Sequence, residues 1–241
     1  MKNPRLYVPE SLSSGEELAL PVEAANHLKV LRLRPGAPLT LFNGEGGEYE
    51  AELLALERRE VRVRVGEHRA HEVESPLEIT LLQGISKGER MDFTIQKAVE
   101  LGVTRILPVF TERSVVQLRD DRLEKRHRHW IGVIESACEQ CGRNRLPELL
   151  EARPLADAWP AVGEGLHLVL APEASTGLRD LSLSRRISLL IGPEGGLSAV
   201  EVDQALSQGF TGLRLGPRIL RTETAGLAAL AALQVAAGDL G

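Results

Sequence analysis

ISLLIGPEGGLSAVEV, residues 187–202, is the stretch whose reading decides how this chain folds. Ile187 to Ile191 is an apolar run broken only by Ser188, and such a run bounded by turn residues reads as a strand buried on both faces. Gly192-Pro193-Glu194-Gly195-Gly196 stops it. Three glycines in five residues leave backbone amides uncovered and permit positive φ, so a ligand can approach the main chain. Ser198 with Glu201 three residues on is a capping box, and the helix it starts runs to Gly209. A second short strand, Phe210 to Leu215, ends in Gly216-Pro217, and after Arg218-Ile219-Leu220-Arg221 a helix begins at about Thr222. One such loop alone reads as an ordinary βα turn. Two in tandem, with Arg218, Arg221 and Glu223 crowded beside the second, point to a ligand site at the strand ends of an α/β sheet. The spacing matches neither a Walker P-loop nor G-x-G-x-x-G.

Working outward, Leu77 to Gln83 is an apolar strand. Lys87-Gly88-Glu89-Arg90 starts a helix that runs to Leu101, with Phe93, Ile95, Ala98, Val99 and Leu101 as its inward residues and Gly102 as its stop. Val103 to Phe110 is the next strand, so the unit is βαβ and the sheet parallel. Lys87 and Arg90 stand where a helix start could meet a phosphate, or serve only as surface charges. Arg119 to Gly142 reads as one long helix, Leu155 to Val162 as a short one, and Leu166 to Ala171 as a buried strand whose end loop carries Pro172-Glu173. Thr222 to Ala237, built of Ala and Leu, is the last helix.

Residues 1 to about 70 read differently. Leu18 to Leu20, Pro38 to Phe42, Tyr49 to Leu56 and Val61 to Val65 are short strands between Gly-rich turns, with one helix at about Val22 to Leu31. Val61-Arg-Val-Arg-Val65 alternates strictly, one face buried and one wet. The pattern is that of a small β-barrel. His68 to Ser75 reads as a linker, which places the domain boundary near 72–76, with domains at 1–72 and 73–241.

Composition sets the class. The chain has 241 residues, 43% of them hydrophobic but only 3% aromatic, so Leu, Val, Ile and Ala must form the core. A net charge of −5 excludes a uniformly basic nucleic-acid coat and leaves local basic patches as the way to meet one. Only five of the 29 basic residues are lysine, and the arginine forks that make up the rest suit phosphate, although GC-rich coding produces the same bias. MKNPRLYVPE lacks the apolar core of a secretory leader, and the late apolar run at 225–238 is too short for a bilayer. With two cysteines this leads to the expectation of a cytoplasmic protein with no membrane association. Cys138-Glu-Gln-Cys141 is a C-x-x-C, but His127 and His129 lie too far along the same helix to complete a metal site, so no metal is expected.

IGPEGGLSAVEV, LGPRILRTETA and the closing ALQ…GDLG resemble the RsmE family of the SPOUT class of RNA methyltransferases. FTIQKAVELG within residues 87–102, ACEQCGR, and Pro4-Arg5-Leu6-Tyr7 with Asn26-His27 to Arg32 extend the likeness over most of the chain. The resemblance implies a C-terminal SPOUT-type α/β domain tied in a deep trefoil knot, preceded by a small PUA-like β-barrel. It implies S-adenosylmethionine as methyl donor and N3 of a uridine in 16S ribosomal RNA, free or in the small ribosomal subunit, as acceptor. A homodimer is implied as well. Leu170, Pro172, Ile191, Gly192, Gly195, Gly196, Leu215, Gly216, Ile219, Leu220, Thr224 and Ala225 are then the cofactor-binding candidates. Arg5, His27, Arg32, Arg34, Lys87, Arg90, Gln140, Arg143 and Arg145 are the RNA-binding candidates. Because uracil N3 carries a proton, Arg221 is the candidate to stabilise charge on the uracil oxygens, and Glu194 or Glu223 the candidate base. The rival readings are a SPOUT enzyme with another target, such as a ribose 2′-hydroxyl, a non-catalytic ribosome-assembly module, and a nucleotide-using enzyme without an RNA partner.

Overall fold

The structure, a computed structural model, describes residues 3–20, 28, 31, 33–57, 60–114 and 120–241. The helix expected at Val22 to Leu31, with His27 and Arg32, lies largely outside the described residues. Two compact units are present, Met1–Glu74 with Glu135–Leu146, and Ser75–Ile134 with Pro147–Gly241.

The first unit is a five-stranded sheet of β1 (Arg5–Tyr7), β2 (Glu17–Ala19), β3 (Pro38–Phe42), β4 (Glu48–Leu56) and β5 (Val61–Arg69), in the order β1-β3-β4-β5-β2. Only β1 and β3 run parallel. The alternation in β5 does what its period requires. Val61, Val63 and Val65 join Leu6, Leu39, Leu41 and Leu53 in the core, while Arg62 and Arg64 face outward. Arg64 pairs across the sheet with Glu17 at 2.9 Å and Glu52 at 3.6 Å, and Arg69 pairs with Glu50. β5 extends to Arg69, so the segment expected as a linker begins as strand.

The end of the long helix and the turn after it, residues 135–146, belong to this first unit. Arg143, whose side chain is 5% exposed, places its guanidinium on Glu74 with Nη2 2.6 Å from Oε2. Arg5 ion-pairs with Glu48, donates to Asn144 Oδ1 at 2.6 Å, and lies over the Phe42 ring at 5.0 Å. Asn144 in turn donates to the His71 carbonyl at 2.6 Å. Arg5, Arg143 and Asn144 are thus each engaged by polar partners, as burial demands, although Arg5 Nε itself has none.

The second unit is one all-parallel sheet, ordered β12-β10-β11-β6-β7-β8 with the short β9 also on β7. Its strands are β6 (Glu78–Gly84), β7 (Arg105–Phe110), β8 (Glu148–Leu149), β9 (Arg153–Pro154), β10 (Leu166–Leu170), β11 (Arg186–Ile191) and β12 (Thr211–Leu213). The central pair, β6 and β11, is buried from Ile79 to Gly84 and from Ile187 to Ile191, the signature of strands covered on both faces. The helices are α1 (Glu89–Glu100), α2 (Asp120–Cys141, shared with the first unit), α3 (Ala199–Ser207) and α4 (Thr222–Ala237).

Two expectations are corrected. Phe93 does not face inward but is 46% exposed, and Met91 and Thr94 take the inner face of α1 with Ile95, Ala98 and Val99. The period allows either set, because the stripe is a few residues wide. Leu155 to Val162 is not one helix but two 3₁₀ turns, Leu155–Asp157 and Trp159–Ala161, with Pro160 removing the amide a continuous helix needs. Gln234, in the apolar part of α4, is fully buried. It accepts from Ser75 Oγ at 2.6 Å and donates to the Leu101 carbonyl at 2.9 Å, tying α4 to the end of α1.

Removing one partner of a buried ion pair costs roughly 3–5 kcal/mol. Arg143→Met is therefore expected to destabilise the protein by about 3 kcal/mol, the low end because the Glu74 side chain stays partly exposed. Urea denaturation of the variant beside wild type measures it.

Candidate functional site

The carboxyl ends of β10, β11 and β12 and the start of α4 enclose a cavity of about 860 Å³, inside the second unit. That volume is ample for a cofactor-sized ligand. Leu170, Ile191, Leu213 and Leu215 supply apolar wall, and the loop 192–197 supplies main chain.

The loop takes its shape from lack of space. A Cβ on Gly192 would lie 2.7 Å from the Leu197 amide nitrogen and 2.8 Å from the Gly196 carbonyl carbon, so only glycine fits. Gly196, at φ 69°, turns the chain back, its amide donating to the Pro193 carbonyl at 2.8 Å. The capping box is present: Ser198 Oγ accepts from the Glu201 amide at 3.3 Å, and Glu201 Oε2 accepts from the Ser198 amide at 2.8 Å. Glu201 Oε1 also accepts from the Glu112 amide at 2.7 Å, and Arg113 donates to the Gly195 carbonyl at 3.1 Å. The segment following β7 is thereby strapped to the Gly-rich loop.

Charge is concentrated at the rim. Arg90, Arg113, Arg214, Arg218 and Arg221 line the cavity with Glu173, Glu194, Asp203 and Glu223. Glu194 Oε1 accepts from the Lys87 amide at 2.9 Å and from Arg90 Nη1 at 3.1 Å. Burial pushes its pKa up, but the bonds from Lys87, its own amide and Arg90 outweigh burial and hold the carboxyl below its ordinary value. Such a group is a poor proton acceptor near neutral pH. Glu223 differs: its Oε2 is enclosed and has no hydrogen-bond partner.

Most of the expected site residues come together here. Leu170, Pro172, Ile191, Gly192, Gly195, Gly196, Leu215, Gly216, Ile219, Leu220 and Ala225 line the cavity with Arg221, Glu194, Glu223 and Arg90. Thr224 does not; it is exposed, because consecutive helix positions point in different directions. Arg113 and Arg214 were missed. The signal for Arg113 was its place just past the end of β7, a strand end like the others.

The RNA candidates divide. Arg34 and Gln140 are exposed, as is Arg145, which stands 3.7 Å from Glu72. Lys87 is exposed beside the cavity loop. Arg5 and Arg143, by contrast, are buried in the first unit on Glu48, Asn144 and Glu74, so in this arrangement neither guanidinium is free to meet a phosphate. His27 and Arg32 lie outside the described residues. Of the C-x-x-C cysteines, Cys138 is buried, and burial above all pushes its thiol up to about 12.

Because the folded-state pKa of Glu194 is depressed, its contribution to stability is present above the ordinary carboxylate range and is lost as pH falls through the lowered value. The difference in melting temperature between wild type and Glu194→Gln should hold steady from neutral pH down to that range and shrink below it. Thermal scans across pH check this.

Known proteins agree with the geometry. The RNA methyltransferase domain family matches residues 73–234, and the RNA methyltransferase PUA domain family matches residues 20–66. Ribosomal RNA small subunit methyltransferase E of Buchnera aphidicola (subsp. Schizaphis graminum) is 36% identical over 98% of this chain and 98% of its own. The Bacillus subtilis protein of that name is 31% identical over 93% and 92%. A crystal structure of ribosomal RNA small subunit methyltransferase E from Neisseria gonorrhoeae bound to S-adenosyl methionine superposes with a TM-score of 0.96. It is 43% identical, and each chain is covered fully. The second unit is thus a SPOUT-type α/β domain and the first a PUA-like one. The chain belongs to the ribosomal RNA small subunit methyltransferase E family.

Proposed function

We propose that this protein methylates N3 of a uridine in 16S ribosomal RNA, using S-adenosylmethionine held in the cavity at the ends of β10, β11 and β12. The observation that carries the reading is the cavity itself, with uncovered main chain on one side and five arginines at its rim. The residues present fit the group. Apolar wall at Leu170, Ile191 and Leu215 suits an adenine, and the glycine loops offer backbone donors and acceptors without a side chain in the way.

Bound S-adenosylmethionine supplies an electrophilic methyl on a sulfonium. Everything else falls to the chain. Arg221 has no ion pair among the described residues, and from the rim it would stabilise negative charge on the uracil oxygens as N3 loses its proton. Of the two carboxylates, Glu223 is the better acceptor for that proton, since Glu194 is already engaged by Lys87 and Arg90. Rigid placement of donor and acceptor contributes much of the remaining rate.

The same reading extends to the assembly. Ile219 is 86% exposed at the lip of the cavity and Val235 is 62% exposed on α4, apolar surface that a second copy would cover in a homodimer. The trefoil knot that the family resemblance implies would run through the loops between β11 and α4. Arg34, Lys87, Arg90, Gln140 and Arg145 remain as the RNA contacts. A ribosomal RNA substrate puts the protein in the cytoplasm. No helix of the described residues is long and apolar enough to cross a membrane.

Transfer of labelled methyl to small-subunit RNA, free and in subunits, with nucleoside analysis, tests the reading. N3-methyluridine is expected, and ribose methylation would overturn it. Gly192→Ala forces the loop to move. It is expected to weaken S-adenosylmethionine binding at least tenfold, about 1.4 kcal/mol, by calorimetry. Arg221→Ala is expected to lower kcat about 100-fold, the usual cost of one stabilising donor, with donor affinity nearly unchanged.

A further inference from the structure

We propose that Gln83 and Thr222 are positioning residues that set the register between the Gly-rich loop and the side chains doing the chemistry; this rests on the methyl-transfer reading above. Gln83, on β6, is fully buried under the loop. Its Nε2 donates to Thr222 Oγ1 at 3.1 Å and to the Gly84 carbonyl at 3.1 Å. Thr222 Oγ1, itself buried, donates to the Gly192 carbonyl at 2.6 Å. The hydroxyl therefore accepts on one side and donates on the other, so its proton has one place to go. Three elements, the end of β6, the loop after β11 and the first residue of α4, meet at this one oxygen.

Thr222 is not acting as a helix cap. The N-cap of α4 is Arg221, with no side-chain cap bond, and the Thr222 hydroxyl is directed to the donor loop instead. Arg221 and Glu223 are its chain neighbours. Fixing Thr222 against Gly192 thus fixes both of them relative to the main chain on which the methyl donor sits. Gly226, one turn on, has Gln83 Oε1 3.6 Å from where its Cβ would be, so α4 rests directly on the glutamine. A displacement of about 1 Å in such an alignment is enough to cost a large part of the rate.

The test compares wild type with Thr222→Val, which keeps the shape and removes the hydroxyl, with Thr222→Ser, which restores it, and with Gln83→Leu. Each is assayed for S-adenosylmethionine affinity, for KM toward small-subunit RNA and for kcat. Thr222→Val and Gln83→Leu are expected to lose about tenfold or more in kcat with both affinities held within threefold, and Thr222→Ser to recover most of it. Thr222→Val with the kcat of wild type would overturn the inference. So would affinity and kcat falling together in Thr222→Val and Gln83→Leu, the mark of general disruption. If Thr222→Val does not fold, Gln83→Leu decides by the same split, and a Gln83→Leu with the kcat of wild type overturns the inference. A wild type that binds the donor yet methylates no RNA would instead overturn the transfer reading.

Discussion

Backbone packed directly on backbone, where β6 and β11 end, is the constraint on which the rest of the second unit depends. A Cβ on Gly84 would lie 2.5 Å from the Pro193 nitrogen and 2.8 Å from the Gly192 carbonyl carbon. With side chains excluded from that contact, the loop 192–197 folds tightly on β6 and on itself, and its other side is left as the wall of a cavity. The glycines there serve two ends. Gly84 and Gly192 are required by space, whereas Gly196 and Gly216 supply positive φ with nothing near their missing Cβ. Glu201 and Arg113 then hold the shape from outside.

The charge distribution follows a similar economy. A chain of net charge −5 that meets RNA must place its cations locally, and five arginines line one rim beside four carboxylates, of which Glu194 pairs with Arg90. On the outer face of the first unit, by contrast, Arg64 and Arg69 are balanced across the sheet by Glu17, Glu50 and Glu52. That face presents little net field, so its arginines act on strand pairing more than on a distant polyanion.

The long helix α2 divides its length between the two units, and its carboxyl-terminal end completes the first one. Arg143, Asn144, Arg5 and Glu74 form the polar core of that closure. Burying an arginine is tolerable only with a carboxylate and further acceptors at hand, and the chain brings these from positions far apart in sequence. Residues of a type that suits phosphate are here consumed by structure, a distinction that residue type alone does not draw.

What the residues themselves determined is local. The unbroken apolar runs of β6 and β11, the strict alternation of Val61 to Val65, the capping box at Ser198 and Glu201, and the loops of Gly192 and Gly216 each have a physical signature a few residues long. Together they specified a parallel sheet with loops gathered at its strand ends, and a small β-barrel of short strands before it. Tertiary structure decided matters that depend on distant partners. It turned Phe93 outward, broke 155–162 into two turns, buried Arg5 and Arg143, and brought Arg113 to the cavity from the end of β7. It also made Gln83 and Gln234, plain polar letters in apolar segments, into buried amides, the first tying α4 to β6 and the second tying α4 to the end of α1. The reason is one of range: periodicity and capping act between neighbours, while burial and hydrogen-bond satisfaction are settled only when elements far apart in the chain compete for the same space.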